Sequence, residues 1–461
     1  MNFNALEQGH AKELEEIVGP ERFSTGESNL ELHARDQSHH PSSLPEAVIW
    51  PVNRAEVTEI LRYANKHLIP VTGWGAGSSL EGNPIPVSRG VVLDFSRMNH
   101  ILAVRESDFQ ADVEPGVVYK DLNEKLRHSG LFFPPDPGAR ATIGGMIANN
   151  ASGVRTVRYG STRANILRLS VVLANGDILE MGSRSSKTSS GYDLINLFVG
   201  SEGTLGIVVG ATVRLRGLPA ESSAATATFP SVEAAGRAVF EIIRSGLEPA
   251  SLELLAPECI ALINSERALG LKVSPTLFME FHGPGKSHLT EVMDMADEVC
   301  CSVGCQDFRS GLARAERDNI LSARYELAEM IKRAHPGCSQ IVIDVAVPIS
   351  AYPEIISLAR DQFQRAGIAG YIFSHAGDGN LHLVFMGRDG DEREWAVIDS
   401  VNERMVREAL AVGGTATGEH GVGIGKRKFM EAEHGRGLDL MGKFKAMLDP
   451  NGILNPGKLL P

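Results

Sequence analysis

The chain has 461 residues, 43% of them apolar, and its 45 Lys and Arg against 57 Asp and Glu leave a formal charge of −12. That length implies about two or three domains, and the acidic balance excludes a surface built to grip nucleic-acid backbone. No uninterrupted apolar run reaches membrane-spanning length, and the first residues lack the basic flank and apolar core of a signal peptide, so a cytoplasmic protein is expected. The five cysteines, Cys259, Cys300, Cys301, Cys305 and Cys338, contain no Cys-x-x-Cys and read as free thiols. The cluster Cys300, Cys301 and Cys305 falls short of the four thiolates of an iron–sulfur site.

Leu6, Leu14, Ile17 and Val18 recur at helical spacing, so residues 5–18 are expected to form an amphipathic helix opening an extension over 1–44. From Ala47 the pattern becomes α/β, with a strand over Ala47–Trp50, a helix over Arg54–His67 and a strand over Ile69–Thr72. That strand runs into Gly73-Trp74-Gly75-Ala76-Gly77-Ser78-Ser79, where side-chain-free backbone could bring N–H groups close to an anion. Asp94 lies about 20 residues on, where a Rossmann ribose acid would sit. The helix such a fingerprint requires is missing, because Pro84 and Pro86 intervene and Val91–Phe95 reads as another strand. A backbone cradle for a pyrophosphate survives, beside the plainer reading of a mobile glycine loop.

Two more stretches of small residues follow, Pro134 to Gly153 and Gly200 to Val208, separated by a strand over Leu169–Ala174. Together the three suggest a site wrapped around one large dinucleotide. After Pro219 the glycine loops cease. Strands are expected over Thr226–Phe229, Ser251–Leu255, Thr276–His282 and Gln340–Val347, with helices over Val232–Ser245, His288–Val303, Leu312–Ala334, Tyr352–Ala366 and Asp391–Val412. That alternation predicts an α+β domain with an antiparallel sheet over 221–413. The closing segment, 414–461, returns to glycine-rich character and is expected to pack on the first domain, 45–220.

Within the second domain, Ile368–Phe373 and Leu383–Met386 flank Ser374-His375-Ala376-Gly377-Asp378-Gly379-Asn380-Leu381-His382. Asp378-Gly379 signals a two-residue type I′ hairpin turn, which would set His375 opposite His382 with Cβ atoms about 5 Å apart. Such a pair could hold one metal ion, or could equally be two half-buried histidines bonded to backbone.

Taken together, the Gly73–Ser79 loop, the Pro134–Gly153 block, Gly200–Val208, His375–His382, Gly418–Gly423 and the Asn455-Pro456-Gly457 ending resemble one family in order. It is the FAD-linked 2-hydroxy-acid dehydrogenases of the vanillyl-alcohol-oxidase type, most nearly the FAD-dependent D-lactate dehydrogenases, over about residues 45–461. The resemblance implies a two-domain α+β fold, an FAD-binding domain with an antiparallel cap, and non-covalent FAD, since no histidine lies in the glycine loop. It assigns cofactor contacts to Thr72, Gly73, Gly75, Ala76, Gly77, Ser78, Ser79, Pro135, Asp136, Thr142, Gly145, Asn149, Ser152, Glu202, Ile207 and Asn455. It also assigns a divalent metal, zinc or manganese, to His375, His382 and Glu419. Two histidines and one carboxylate leave positions open for substrate.

The same resemblance makes His420 the base, Arg324 the partner of the substrate carboxylate, and the flavin the hydride acceptor. At the positions where the 2-hydroxyglutarate branch carries Thr, Lys and Asn, this chain has Ala328, Val342 and Val384. A second buried carboxylate would lack partners, so a monocarboxylic D-2-hydroxy acid, D-lactate first, is the expected substrate, with glycolate and D-2-hydroxyglutarate as alternatives. An alkyl transferase on the same flavin fold and a non-catalytic flavin-binding subunit are the readings from other classes. A quinone, a cytochrome or an electron-transfer flavoprotein would take the electrons. A homodimer and peripheral attachment at a membrane are left open.

Overall fold

The computed structural model describes residues 3–267, 269–311 and 314–461. Close Cα approaches divide them into two units. The first comprises the chain through Ser152, Gly160–Leu218 and Glu419–Pro461; the second comprises Gly153–Tyr159 and Pro219–Gly418. Among the described residues no helix is long and apolar enough to cross a membrane.

The first unit contains two sheets. In the four-stranded one, Val91–Asp94 runs parallel to both Ala47–Ile49 and Val71–Trp74, and Phe23–Ser24 pairs antiparallel at the edge. Parallel strands need a crossover, and the helix Arg54–His67 carries the chain from Ala47–Ile49 to Val71–Trp74, the two strands that flank Val91–Asp94. Asn53 caps that helix by accepting the Glu56 N–H, and Val57, Ile60, Leu61 and Ala64 form its buried face. The expected strand over Ile69–Thr72 begins instead at Val71 and runs through Gly73 to Trp74, so the glycine loop starts one strand-end later. Pro70 has no N–H to give a ladder. Asp94 is not free for a ribose, because its carboxylate takes the Trp50 indole N–H at 2.8 Å, His33 Nε2 at 3.1 Å and the Ser96 N–H.

The second sheet of this unit is five-stranded and antiparallel, in the order Ile101–Arg105, Gln110–Val113, Ile207–Arg214, Ile166–Val172, Ile178–Gly182. The closing segment lies against the first sheet. The Val71 N–H donates to Ile453 O at 2.8 Å, and the Asn455 N–H to Val71 O at 2.8 Å. Ile453 and Leu454 share a buried core with Val71, Val91 and Leu93.

The second unit is one seven-stranded, wholly antiparallel sheet. Its order is Asp307–Ser310, Glu221–Thr228, Thr276–Gly283, Ser251–Leu255, Gly370–His375, Asn380–Arg388, Cys338–Ala346. On one face lie the helices Pro257–Arg267 and Arg314–Ala334. They pack on Leu255, Phe278, Tyr371, Phe373, Val384 and Met386. Leu312, where the latter helix was expected to begin, lies outside the described residues. On the opposite face Tyr352 bonds Ser374, and Trp395 and Ile398 meet Gly387.

The hairpin between His375 and His382 differs from expectation. A single 3-10 turn over Ala376–Asp378 closes on Gly379 in the left-handed region (φ 70°), so only one of the two dihedrals a type I′ turn needs is positive. The connection is therefore longer. His375 pairs with Asn380, and His382 pairs with Phe373.

Candidate active site

In the first unit one cavity is walled by small residues from separate segments. Gly73, Gly75, Ala76, Gly77, Ser78 and Ser79 line it together with Thr142, Gly145, Asn149, Glu202, Ile207 and Asn455, and Glu419 and His420 open onto it. Thr72, Pro135, Asp136 and Ser152 are not part of its wall. Asp136 instead accepts from the Tyr119 hydroxyl and the Gly138 N–H, which fixes the proline turn that leads into the cavity. The glycines are required by space. A Cβ at Gly75 would stand 2.4 Å from Thr142 Oγ1, and one at Gly77 (φ 62°) 2.5 Å from the Trp74 ring. Thr142 also caps the short helix Ile143–Asn149, a helix hidden in the sequence by its Gly-Gly start. A cradle of backbone and small side chains that Cβ atoms would fill suits a flat, backbone-hugging dinucleotide such as FAD.

Asn455 holds a left-handed conformation (φ 41°) and donates to Asn83 O at 3.0 Å and Glu202 O at 2.7 Å. Glu202 is buried, and its carboxylate accepts the Val422 N–H at 2.6 Å and the Gly423 N–H at 2.9 Å. Burial pushes its carboxyl up to about 7 even against those two amides. His420 accepts from Asn149 through its carbonyl at 3.3 Å, and its Nε2 lies 3.9 Å from Glu419 Oε1.

In the second unit the polar residues gather at one end of an otherwise apolar sheet face. Because the hairpin register is displaced by an even step, His375 and His382 still share that face. Their rings meet edge to face with centroids 5.2 Å apart. His375 Nδ1 lies 2.8 Å from Glu253 Oε1, and His382 Nδ1 lies 3.6 Å from Asp344 Oδ1. Asp344, fully buried, also accepts from Asn380 Nδ2 at 2.7 Å and from the Thr417 hydroxyl at 2.9 Å. At His375 the Glu253 carboxylate on Nδ1 selects the Nδ1–H tautomer, which puts the lone pair on Nε2, the usual arrangement behind a metal-binding histidine. Glu419 follows directly on Gly418, the last residue of this unit. A Cβ at Gly418 would stand 2.9 Å from Asp344 Oδ1. The donor chemistry of this end of the sheet fits a divalent cation.

Arg324 lies on the same face, buried. Its Nε and Nη2 reach Glu253 Oε2 at 2.9 and 2.8 Å, and its guanidinium sits 4.7 Å above the Phe373 ring. Glu253 therefore serves two residues of separate expected roles. Burial alone would raise its carboxyl, but the His375 imidazole and the Arg324 guanidinium outweigh that and hold it below the ordinary carboxylate value. Neither Glu253 nor Asp344 was assigned a role from sequence. A glutamate inside the apolar run Ser251–Leu255 was the one visible signal. Beyond the polar end the face turns apolar, with Val342 paired opposite Val384 and Tyr371 beside it.

Comparison with known proteins gives the class. Residues 45–182 match the FAD binding domain model, and residues 218–459 match the model for FAD linked oxidases, C-terminal domain. The chain is 40% identical to a probable mitochondrial D-lactate dehydrogenase of Danio rerio, covering 96% of this chain and 90% of that one. It is 35% identical to the glycolate oxidase subunit GlcD of Bacillus subtilis strain 168, covering 97% and 96%. A 4-ethylphenol oxidase from Gulosibacter chungangensis superposes with a TM-score of 0.81 at 19% identity, covering 99% and 98%, which shows the shared fold.

The chain belongs to the FAD-linked oxidases, in the branch of FAD-dependent D-lactate and other D-2-hydroxy-acid dehydrogenases, and has the vanillyl-alcohol-oxidase-type fold. It is an FAD-linked oxidoreductase of 2-hydroxy acids.

Proposed function

We propose that this enzyme oxidises D-lactate, or a closely related monocarboxylic D-2-hydroxy acid, to the 2-oxo acid. FAD is held non-covalently, and a divalent ion, zinc or manganese, is held by His375, His382 and Glu419. When bound, the flavin supplies the hydride acceptor and the metal polarises the substrate hydroxyl. The observation that carries the reading is the meeting of Arg324 and His375 at one buried carboxylate, Glu253, although 71 and 122 residues separate them from it.

Arg324 is locked by Glu253 along its Nε–Nη2 edge, so Nη1 and the outer side of Nη2 remain to receive the substrate carboxylate. His420 takes the hydroxyl proton on a ring nitrogen. The small residues of the cavity bring backbone against the cofactor and exclude water from it. His420 is the only histidine among the described cavity-lining residues, and it serves here as base, which supports a dissociable flavin. Val342 and Val384 supply an apolar wall on the metal-bearing face, so a substrate with a second carboxylate would leave a charge unpaired.

The name of the Bacillus subtilis relative favours glycolate as the second reading. A quinone, cytochrome or electron-transfer flavoprotein would be the electron acceptor. The five free thiols suit a reducing compartment such as the cytoplasm.

Anaerobic mixing with a panel of D- and L-2-hydroxy acids tests this. D-lactate should bleach the flavin absorbance fastest, glycolate more slowly, and D-2-hydroxyglutarate at least about 100-fold less efficiently, the worth of one unpaired buried charge. An unbleached flavin with D-lactate refutes the proposal.

A further inference from the structure

Glu419 and His420 stand on a loop with neither helix nor strand to hold it. Besides backbone bonds to Glu81 and Leu459, two of the flavin-cradle segments of the same unit hold it. Asn149 takes the carbonyl of His420. The carboxylate of Glu202 receives two successive backbone N–H groups just beyond, Val422 at 2.6 Å and Gly423 at 2.9 and 3.2 Å to its two oxygens. Successive amides converging on one anion form a nest, and it requires glycine on either side of Val422. Gly421 (φ 82°) and Gly423 (φ 47°) both lie in the left-handed region, and a Cβ on Gly421 would stand 2.8 Å from Glu202 Oε1.

Glu202 is itself held rigidly. It keeps a left-handed φ of 53°, its N–H donates to Ala148 O at 2.9 Å, and its carbonyl accepts Asn455 Nδ2 at 2.7 Å. Its carboxylate has the Asn83 side chain and the Lys458 ammonium as neighbours and gives its backbone-amide contacts to the loop.

We propose that Glu202 is a positioning residue whose carboxylate clamps the Gly421–Gly423 backbone and so fixes where Glu419 and His420 stand over the flavin cavity. The catalytic consequence rests on His420 being the base. The clamp itself does not.

Glu202→Gln keeps the shape but turns an amide N–H toward one of the two loop donors. In the purified FAD-loaded variant, flavin per chain should equal wild type. At the same time kcat should fall about tenfold to 100-fold with KM changed far less, the cost of a base displaced by about an ångström. Hydrogen exchange in peptides spanning residues 419–425 should quicken at Val422 and Gly423. Unchanged exchange there, or a loss of activity in proportion to lost FAD, overturns the clamp. Should that variant fail to fold, Gly421→Ala presses a Cβ on the same carboxylate and should lower kcat with FAD retained; a wild-type kcat there overturns the idea equally. If Glu202→Gln loosens the loop while His420→Asn remains fully active, the clamp stands and the assignment of the base fails.

Discussion

Replacing Glu253 by Gln separates two jobs that one buried carboxylate performs. Glu253 is 1% exposed and is contacted by both the His375 ring at 2.8 Å and the Arg324 guanidinium at 2.8 and 2.9 Å. Glutamine has the same length but one acceptor oxygen, so either His375 Nδ1 or Arg324 must face its amide N–H₂. Removing one partner of a buried ion pair costs about 3–5 kcal/mol, because the remaining charge is left unpaired in a low-dielectric setting. The retained oxygen and the Phe373 ring under Arg324 place this case near the lower end, about 3 kcal/mol. Denaturant unfolding read from tryptophan and circular dichroism would measure that loss. The second consequence concerns the histidine. A carboxylate behind a ligating imidazole fixes its tautomer, and losing one lowers metal affinity about 10–100-fold. Competition of zinc or manganese between the protein and a chromogenic chelator reads this without reference to turnover. Stability within about 0.5 kcal/mol of wild type, the usual range of a neutral surface change, together with unchanged metal affinity, would refute the shared role.

Three further outcomes follow from the site. Dialysis against a strong chelator should abolish turnover while the flavin absorbance stays with the protein, and readdition of zinc or manganese should restore it; full activity in metal-free protein removes His375, His382 and Glu419 as ligands. His420→Asn should lower kcat by about 100-fold to 10,000-fold with FAD content intact, and a rate within about threefold of wild type would exclude His420 as the base. The third outcome is a pH effect on stability. Burial lifts the Glu202 carboxyl from its ordinary 4.5 to about 7, so between those values the folded chain keeps a proton that the unfolded chain has released. The resulting stabilisation is fully present below pH 4.5 and is lost as pH rises through 7, an effect of about 3 kcal/mol. Wild type should therefore lose stability relative to Glu202→Gln across that window, and a constant difference from pH 4 to pH 8 would contradict the assignment.

Local chemistry made much of this molecule readable. The helix Arg54–His67 was visible because Asn53 caps it, and Tyr352–Ala366 because Pro353 begins it and Gly367, in the left-handed region, ends it. The histidine-bearing hairpin was only half readable. Asp378-Gly379 does mark the turn, but one positive φ where two were expected moves the pairing so that His382 faces Phe373. That displacement is an even one. Side chains alternate with a period of two, so an even slip leaves both histidines on the same face, whereas an odd slip would have sent one to the opposite side of the sheet. The paired-histidine idea therefore outlived the wrong turn.

Glu253 had no such protection, because nothing near Ser251–Leu255 in the sequence reveals its partners. The sheet order places that strand beside Gly370–His375 across more than a hundred residues, and the helix Arg314–Ala334 is laid over the same face. Only then does an oddly placed glutamate in an apolar strand become the group that orients a histidine and neutralises an arginine. The residues able to bind were thus written in local motifs. The residues that aim them were set by which strands become neighbours.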